Sequence, residues 1–451
     1  RVGAARALGR AARAVSRRLG RSGGTTAPGR LLLRLAPDGL AGMAGELDRG
    51  AVLVSATNGK TTMAAMVAAA LERAGRPPVH NRAGSNMAWG VATALLDARR
   101  GRGQLGLFEV DEAWLPRVAR AVQPRLYLLA NLFRDQLDRY GELELLADRW
   151  AELVAEQAGR ARFVLNADDP LVADLGRGRG GVVYFGVDDD AQALPELQHA
   201  ADSKYCRNCG SAYVYSAVLL AHMGHYRCPG CGRERPRPAV AATRVELRGL
   251  RGSRATLRTA VGEVDVELRL PGLYNVYNAV AATATALELG VPLGTIADAL
   301  AGFGGAFGRA AAIRVDGREL SILLGKYPAG ANEVLRTLAL EPGRLDLWLA
   351  LNDGIADGRD VSWIWDADFE LLAGRVRRVT CSGTRAEEMA LRLKYAGVDA
   401  ELDVERDLDR SLDSAVAGAG DGRLYALPTY TALLELRDLL SRRGLARRWS
   451  E

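Results

Sequence analysis

The chain has 451 residues, of which 48% are hydrophobic and 25% are charged, and its formal net charge is +6. This length exceeds what one ordinary hydrophobic core fills, so we expect roughly two or three domains. No uninterrupted apolar run approaches the roughly 20 residues that a membrane-spanning helix needs. The N-terminus also has no long apolar segment of the kind that signal peptides contain. We therefore expect a cytoplasmic protein.

Much of the positive charge is concentrated at the start of the chain. Residues 1–30 contain eight arginines and no acidic residue. Several of these arginines alternate with apolar residues at helical spacing, which predicts a basic amphipathic helix within residues 1–40. Such a helix can rest on anionic lipid headgroups at the inner face of the cell membrane. Packing of the helix on its own domain agrees with the pattern about equally well.

The most informative stretch is residues 51–62, with the sequence AVLVSATNGKTT. A short apolar run enters a small polar turn, and a helical pattern leaves it. This arrangement presents free backbone N–H groups and the positive end of a helix to an anion. Lys60 adds a positive charge for the outer phosphates, and the Thr61 hydroxyl can reach Mg²⁺. Although Val54 replaces the first glycine of a standard Walker motif, we interpret this segment as a nucleoside-triphosphate site rather than an ordinary strand-to-helix turn.

A second strand is predicted at residues 107–112, which end in the carboxylates of Glu109, Asp111 and Glu112. In an open α/β sheet, ligands lie beyond the carboxyl ends of the strands. Glu109 or Asp111 can therefore hold Mg²⁺, which prefers oxygen ligands; a solvated strand end is the alternative. Further strands follow at residues 126–130 and 163–165. Their alternation with helical segments indicates a mainly parallel, doubly wound sheet.

Four of the five cysteines form two CxxC pairs, Cys206 with Cys209 and Cys228 with Cys231, separated by 18 residues. This spacing predicts one tetrahedral Zn²⁺ bound by four thiolates. Four protein ligands leave no open position for water, so the ion is expected to be structural. Zinc ribbons also contact nucleic acid in some proteins. Because this segment interrupts an enzyme-like domain, we favour a scaffold or partner-docking role over nucleic-acid binding.

The remaining chain predicts a helix with two asparagines at its start and then a second α/β unit. Asn275 and Asn278 can offer amides to a base or ribose, or they can cap the helix. From residue 312 the strands are predicted at residues 345–351, 376–381, 400–404 and 424–427. We therefore expect a basic segment (1–40), an ATP-binding domain (41–311) with an insertion (200–240), and a Rossmann-like domain (312–451).

Together these segments resemble the Mur ligase superfamily, and most closely its MurT branch. The superfamily motifs are the phosphate loop, where Ala56 replaces the usual glycine, and two further segments, Asn166–Pro170 and Gly272–Asn278. The features that are similar to the MurT branch are the four-cysteine insertion, residues 131–136 and residues 357–363. The resemblance implies a Mur ligase-like ATP-binding domain with an inserted four-cysteine zinc ribbon, followed by a second α/β domain.

The same resemblance implies a reaction and its partners. It implies ATP-dependent amidation of the α-carboxylate of D-glutamate in the peptidoglycan stem peptide on lipid II. ATP would convert the carboxylate into an acyl phosphate, and ammonia would displace the phosphate. The ammonia would come from a GatD-type glutaminase subunit in a heterodimer. The implied cofactors are ATP, Mg²⁺ and Zn²⁺, and no nucleic-acid partner is expected.

The resemblance also implies roles for individual residues. Thr61 and Glu109 would ligate Mg²⁺, and Gln136 replaces a metal-binding histidine, which leaves a second magnesium site open. Asp360 would orient the histidine of the glutaminase; capping of the following helix is the alternative. Lys326 lies where the C-terminal domain closes on nucleotide. The residues implied to contact the nucleotide are Thr57, Asn58, Gly59, Lys60, Thr61, Thr62, Asn275 (adenine) and Arg309 (a phosphate).

Two other functions also agree with the sequence. One is a stand-alone amino-acid or folylpolyglutamate-type ligase, which would use an amine substrate and no partner. The other is a nucleic-acid-binding ATPase whose zinc ribbon contacts DNA or RNA, for which steep salt dependence of binding would be evidence.

Overall fold

The structure is a computed structural model, and it contains two α/β sheets that follow one another in the chain. It describes residues 26–81, 85–98, 103–134, 143–199, 201–304, 311–325, 327–420 and 422–445. Residues 1–25, which carry most of the predicted basic helix, lie outside the described residues. Within the described ranges, no helix combines the length and the apolar character that crossing a bilayer requires.

Nine strands form the first sheet, and two more form a separate hairpin. The strands are β1 (Ala51–Ser55), β2 (Val79–His80), β3 (Gly106–Glu109), β4 (Leu126–Leu129), β5 (Arg162–Asn166), β6 (Val182–Val187), β7 (Val214–Leu220), β8 (Met223–Arg227), β9 (Val240–Leu247), β10 (Ser253–Thr259) and β11 (Gly262–Leu268). The spatial order of the sheet is β11-β10-β9-β6-β5-β4-β1-β3-β2. All neighbours from β9 to β2 are parallel, whereas β10 pairs in antiparallel fashion with both β9 and β11. The predicted, mainly parallel sheet is confirmed.

Helices cover both faces of this sheet. They are α1 (Ala27–Leu35), α2 (Gly39–Ala44), α3 (Lys60–Arg73), α4 (Ala88–Asp97), α5 (Leu115–Val122), α6 (Leu143–Gln157), α7 (Pro170–Leu175), α8 (Leu273–Glu288) and α9 (Leu293–Ala301). Successive side chains of a strand point to opposite faces. Accordingly, Val52 and Val54 pack in the core with α3, α8 and α9, while Ala51 and Leu53 pack in the core with the other helices. The sheet is therefore doubly wound, as predicted.

The order of the strands determines where a ligand can bind. The chain passes from β1 to β2 and β3 on one side, and then crosses to β4, β5 and β6 on the other. The crevice at such a switch point, beyond the carboxyl ends of the strands, is the usual binding position in open α/β sheets. Here the switch point lies at the carboxyl end of β1, and residues 56–59 form the loop that follows it.

The second sheet has the order β12-β13-β17-β14-β15-β16. Its elements are β12 (Ala311–Val315), β13 (Arg318–Ile322), α10 (Tyr327–Ala339), β14 (Leu345–Ala350), β15 (Val376–Ser382), α11 (Ala386–Tyr395), β16 (Glu401–Val404), α12 (Leu408–Gly418), β17 (Leu424–Pro428) and α13 (Tyr430–Arg442). All strand pairs except β12 with β13 are parallel. The predicted Rossmann-like unit is therefore present, while the boundary between residues 311 and 312 stays a prediction.

A buried ion pair joins the end of the insertion to the first sheet. Asp168 follows β5 and is fully buried. Its carboxylate accepts hydrogen bonds from Arg235 Nε (2.5 Å), Val187 N (2.8 Å) and Tyr277 Oη (2.7 Å). Burial alone would lower the pKa of Arg235, but Asp168 and Asp188 outweigh it and raise the pKa above its ordinary value. The guanidinium therefore stays charged in this setting.

We predict that Asp168→Asn lowers the free energy of unfolding by about 3 kcal/mol. The asparagine leaves the Arg235 charge partly uncompensated, and its amide N–H₂ faces groups that themselves donate. Urea unfolding followed by circular dichroism measures the change. Asp298→Asn is the matched control, because Asp298 pairs with Arg73 on the exposed surface, where such pairs contribute little. Equal stability of the two variants would contradict the assignment.

Candidate nucleotide and metal sites

The phosphate loop leaves β1 after Ser55, and α3 begins at Lys60. Gly59, the last loop residue, has φ +87°, a left-handed conformation that glycine adopts without strain. A Cβ at this position would lie 2.2 Å from Asn278 Oδ1. Both the conformation and the close approach therefore require glycine. The contact also brings the start of α8 against the loop.

The segment after β4 holds the other side of the loop. Asn131 accepts a hydrogen bond from Thr57 N at its backbone oxygen (3.0 Å) and from Asn58 N at Oδ1 (2.8 Å). Asn131 Nδ2 returns a bond to Asn58 O (3.0 Å), and Phe133 N donates to Thr57 Oγ1 (3.0 Å). The loop is thus held by a neighbouring parallel strand end. Sequence reasoning noticed residues 131–136 only as a resemblance and gave Asn131 no role at the loop.

The acidic strand end lies beside Lys60 and Thr61. Thr61 Oγ1 donates to Glu109 Oε1 (3.1 Å), and Lys60 Nζ donates to Glu112 Oε2 (2.8 Å). Both glutamates are buried. Sequence reasoning selected Glu109 and did not assign Glu112, although both belong to the same acidic run. Lys60, Thr61 and Glu109 are therefore brought together.

Asn81 fixes the backbone of Glu109 in place. Asn81 Oδ1 accepts a hydrogen bond from Glu109 N (2.9 Å), and Asn81 Nδ2 donates to Glu109 O (2.8 Å) and Ser85 O (3.0 Å). The asparagine is itself buried. The side chain of Asn81 thus holds the backbone of Glu109 in place, and with it the point from which the Glu109 side chain extends.

Electrostatics keep the lysine charged. Burial alone would lower the pKa of Lys60, but the carboxylates of Glu112, Glu109 and Asp111 outweigh it and raise the pKa above its ordinary value. A charged ammonium beside the N–H groups that begin a helix is a setting that favours a bound phosphate chain.

The two asparagines of α8 are both buried and bonded to each other. Asn275 Nδ2 donates to Pro271 O (2.7 Å), and Asn278 Nδ2 donates to Asn275 Oδ1 (3.1 Å). Asn278 is the one that reaches Gly59. Thr62 is also buried, on the inward side of α3. The other predicted nucleotide and metal residues, Gln136, Arg309 and Lys326, lie outside the described residues.

The four predicted zinc ligands converge at the base of the β7–β8 hairpin. Their sulfur atoms all lie within 4.8 Å of one another, with Cys206 to Cys231 at 3.6 Å and Cys209 to Cys228 at 3.3 Å. A tetrahedral ion with bonds of about 2.3 Å separates its sulfur ligands by about 3.8 Å. The cluster therefore fits a tetrahedral metal ion, and these distances are too long for disulfide bonds.

The two histidines between the cysteine pairs lie against residues other than the four cysteines. His222 is fully buried, and its Nε2 lies 3.5 Å from Asp169 Oδ2. His225 Nε2 lies 2.8 Å from Val187 O, and its Nδ1 lies 3.1 Å from Asp190 Oδ1. Within the described chain, neither histidine belongs to the group that could hold the metal.

The aspartate-containing loop follows β14 on the second sheet, apart from the phosphate loop. Asp353 pairs with Arg385 Nε (2.8 Å), and Asp357 is buried and accepts a hydrogen bond from Thr431 N (2.9 Å). Asp360 is exposed, and its Oδ1 accepts a bond from Ser362 N (2.8 Å). Hydrogen bonds from the Ser362 side chain and from Ser362 N lower the pKa of Asp360. The backbone bond is of the Asx-turn kind, next to the start of the short helix at residues 362–366.

Two domain families match the chain. The Mur ligase middle domain matches residues 54–221, and the MurT ligase C-terminal domain matches residues 324–433. The first range contains the phosphate loop, the acidic strand end and the first CxxC pair. The second contains the aspartate loop. The second CxxC pair and the two asparagines of α8 lie between the two matched ranges.

Relatives and solved structures agree with these matches. The lipid II isoglutaminyl synthase (glutamine-hydrolyzing) subunit MurT of Staphylococcus aureus strain N315 is 33% identical over 96% of this chain and 97% of its own. The subunit of the same name from Streptococcus pneumoniae R6 is 32% identical over 98% and 97%. A pseudomurein peptide ligase type C from Methanothermus fervidus shares the fold, with a TM-score of 0.69 at 22% identity, covering 88% of this chain and 79% of that one. This chain belongs to the MurT family of the Mur ligases and is an ATP-dependent ligase.

Proposed function

We propose that this protein amidates the α-carboxylate of D-glutamate in the peptidoglycan stem peptide on lipid II, giving D-isoglutamine. The observation that carries the proposal is its similarity, over nearly the whole chain, to subunits named for lipid II isoglutaminyl synthase. The nucleotide site at the first sheet supplies the chemistry that such a reaction needs.

The reaction divides into two transfers. A carboxylate oxygen attacks the γ-phosphorus of ATP, which breaks the bond to the β-phosphate oxygen and gives an acyl phosphate and ADP. Ammonia then attacks the acyl carbon, and phosphate leaves as the amide forms and the nitrogen loses a proton. Lys60 and the N–H groups of residues 59–62 would stabilise the charge on the transferred phosphoryl group.

Thr61 and Glu109 would hold Mg²⁺ at this site. Their oxygens lie 3.1 Å apart, close to the about 2.9 Å that separates adjacent ligands of an octahedral Mg²⁺. When bound, the ion supplies positive charge to the phosphates. Asn275 and Arg309 complete the proposed nucleotide contacts, toward the adenine and a phosphate respectively.

Ammonia is proposed to come from a GatD-type glutaminase subunit that forms a heterodimer with this chain. The one cysteine outside the metal cluster, Cys381, is fully buried on β15. Burial raises its pKa to about 12, so it is not a thiolate nucleophile at neutral pH. A reactive cysteine–histidine pair therefore has to be supplied in trans.

Asp360 is the residue we assign to the contact with that subunit. Its carboxylate is exposed, and its bonding partner is the neighbouring Ser362, through the side chain and the backbone N–H. Asp353 and Asp357, in contrast, are engaged within the chain. An exposed carboxylate that is bonded to one neighbouring serine suits the third member of a Cys-His-Asp triad, which orients the histidine.

The four-cysteine cluster is proposed to bind Zn²⁺ with a structural role. Thiolate ligands at this spacing select zinc, and four of them leave no position for a reacting water. The cluster joins the ends of the hairpin that packs against Asp168 and Asp169, so the ion would stabilise that packing.

Reconstitution tests the function as a whole. The purified protein, a candidate glutaminase, lipid II, ATP and glutamine are incubated together, and mass spectrometry of the muropeptide follows conversion of carboxylate to carboxamide. Formation of the amide only with both proteins supports the proposal. ATP hydrolysis that depends on an added amino acid, with a new peptide bond in the product, would contradict it and favour a stand-alone ligase.

We predict that Asp360→Asn lowers glutamine-dependent amidation by about 10²-fold or more, as expected for loss of a triad orienting group. Amidation driven by added ammonia should persist, because the ATP site lies on the other sheet. The two rates are compared in the same preparation.

Asp353→Asn is the matched control for this variant. It alters the same loop and removes a carboxylate bound to Arg385, and glutamine-dependent amidation should continue. Wild-type glutamine turnover by Asp360→Asn would overturn the assignment, and leave helix capping as the role of Asp360.

We predict one zinc ion per chain, and loss of that ion in Cys228→Ser. The melting temperature of this variant should fall by about 5 °C or more, because a lost structural metal is among the large destabilising changes. Elemental analysis and thermal unfolding measure the two effects. Cys381→Ser, a change of the same type in the other sheet, should retain the metal; metal-free wild-type protein of unchanged stability would disprove the site.

A further inference from the structure

Every hydrogen-bond donor of the Lys60 ammonium is already used. An ammonium has three N–H donors. In the structure Lys60 Nζ contacts Ala56 O, Thr57 O at 3.3 Å and Glu112 Oε2 at 2.8 Å. A phosphate oxygen can therefore accept a hydrogen bond from this ammonium only if it displaces one of the three acceptors.

Glu112 is the acceptor that a phosphate replaces most directly. The two carbonyl oxygens belong to the loop that carries Lys60, so they remain beside the lysine when the loop binds an anion. Glu112 comes from a different element, the segment after β3, and it alone of the three acceptors is an anion. The Glu112 carboxylate thus forms with Lys60 the kind of charged hydrogen bond that a phosphate oxygen would form.

The backbone of Glu112 is held firmly. Its carbonyl oxygen accepts a hydrogen bond from Nε1 of the fully buried Trp150 (3.1 Å), and the preceding Asp111 N donates to Asn86 O (2.8 Å). Only 4% of Glu112 is exposed. A buried carboxylate is costly unless it is paired, and among the described residues Lys60 is the cation in contact with it.

We propose that Glu112 is a positioning residue that holds Lys60 in the nucleotide-free protein and yields it to the phosphate chain when nucleotide binds. This inference rests on the proposed nucleotide site. To displace Glu112, a ligand must bind Lys60 more favourably than this carboxylate does. A di- or triphosphate, which carries several negative charges, meets this requirement. The ion pair keeps the lysine extended across the loop in the free protein and opposes nucleotide binding until it is exchanged.

We predict that Glu112→Gln binds ADP about tenfold more tightly than the wild type, because a neutral amide oxygen competes less well for an ammonium than a carboxylate does. Isothermal titration calorimetry in EDTA measures this affinity without any contribution from a magnesium ligand. In the amidation assay, KM for ATP should fall while kcat changes less. A purely structural role would weaken binding instead.

Two further variants separate the contact from a general loss of charge. Asp111→Asn removes a neighbouring buried carboxylate, which accepts a bond from Ala113 N (3.1 Å), and should tighten ADP binding less. Glu112→Asp keeps the charge but shortens the side chain, so it should tighten binding by a smaller factor than Glu112→Gln. It also serves as the test if Glu112→Gln does not fold.

The outcomes are distinguishable. Equal tightening by Asp111→Asn and Glu112→Gln would overturn the role of Glu112, since loss of charge alone would then explain both. Unchanged or weaker ADP binding by Glu112→Gln, with normal binding by the wild type, would overturn it as well. A wild-type protein that binds no ADP would instead remove the nucleotide site itself.

Discussion

The phosphate loop is held from two sides before any ligand arrives, and the rest of the first sheet is arranged around that constraint. The amide of Asn131 bonds both backbone groups of Asn58, and Asn278 lies so close to Gly59 that no Cβ fits between them. Each contact comes from an element adjacent to β1 or packed over it. The loop backbone is therefore fixed by the protein itself, so little reorganisation of the N–H groups that follow it at the start of α3 is needed when charge develops on a phosphate.

The charge balance around Lys60 follows from burial. Three acidic side chains at the end of β3 are buried beside one lysine. Several buried carboxylates with a single cation are unfavourable unless further positive charge is present. The same cluster therefore favours uptake of a divalent cation together with a phosphate chain, which adds positive charge near the carboxylates and negative charge near Lys60. On the proposed assignment, binding of nucleotide and metal at this site would be coupled by electrostatics, and the Thr61–Glu109 pair would lie between the two ligands.

Local patterns predicted the elements, and the structure shows where such patterns stop being informative. Each of the four predicted C-terminal strands begins and ends within one residue of its counterpart among β14 to β17. Short, largely apolar runs and their flanking turns are local signals, so the sequence alone could reveal them. The Asn131–Asn58 pairing is not local, since it joins two strand ends that only the sheet order makes adjacent. The aspartate loop shows the same difference: Asp353, Asp357 and Asp360 are alike in sequence, and only their folded partners separate a buried cap from an exposed carboxylate.

The four-cysteine insertion is part of the structure that joins the two sheets. At the tip of its hairpin, His222 lies against Asp169, whose carboxylate accepts a bond from Leu132 N (2.9 Å), next to the residue that holds the phosphate loop. At the end of β7, Leu219 O accepts a bond from Arg336 of α10 (3.0 Å), and Arg336 also donates to Gln192 O (2.7 Å). The hairpin therefore contacts both the strand ends of the first sheet and helix α10 of the second α/β unit. A metal ion at its base would therefore stabilise the support of the phosphate loop and the seat of α10 together, which favours the scaffold interpretation of the insertion over nucleic-acid binding.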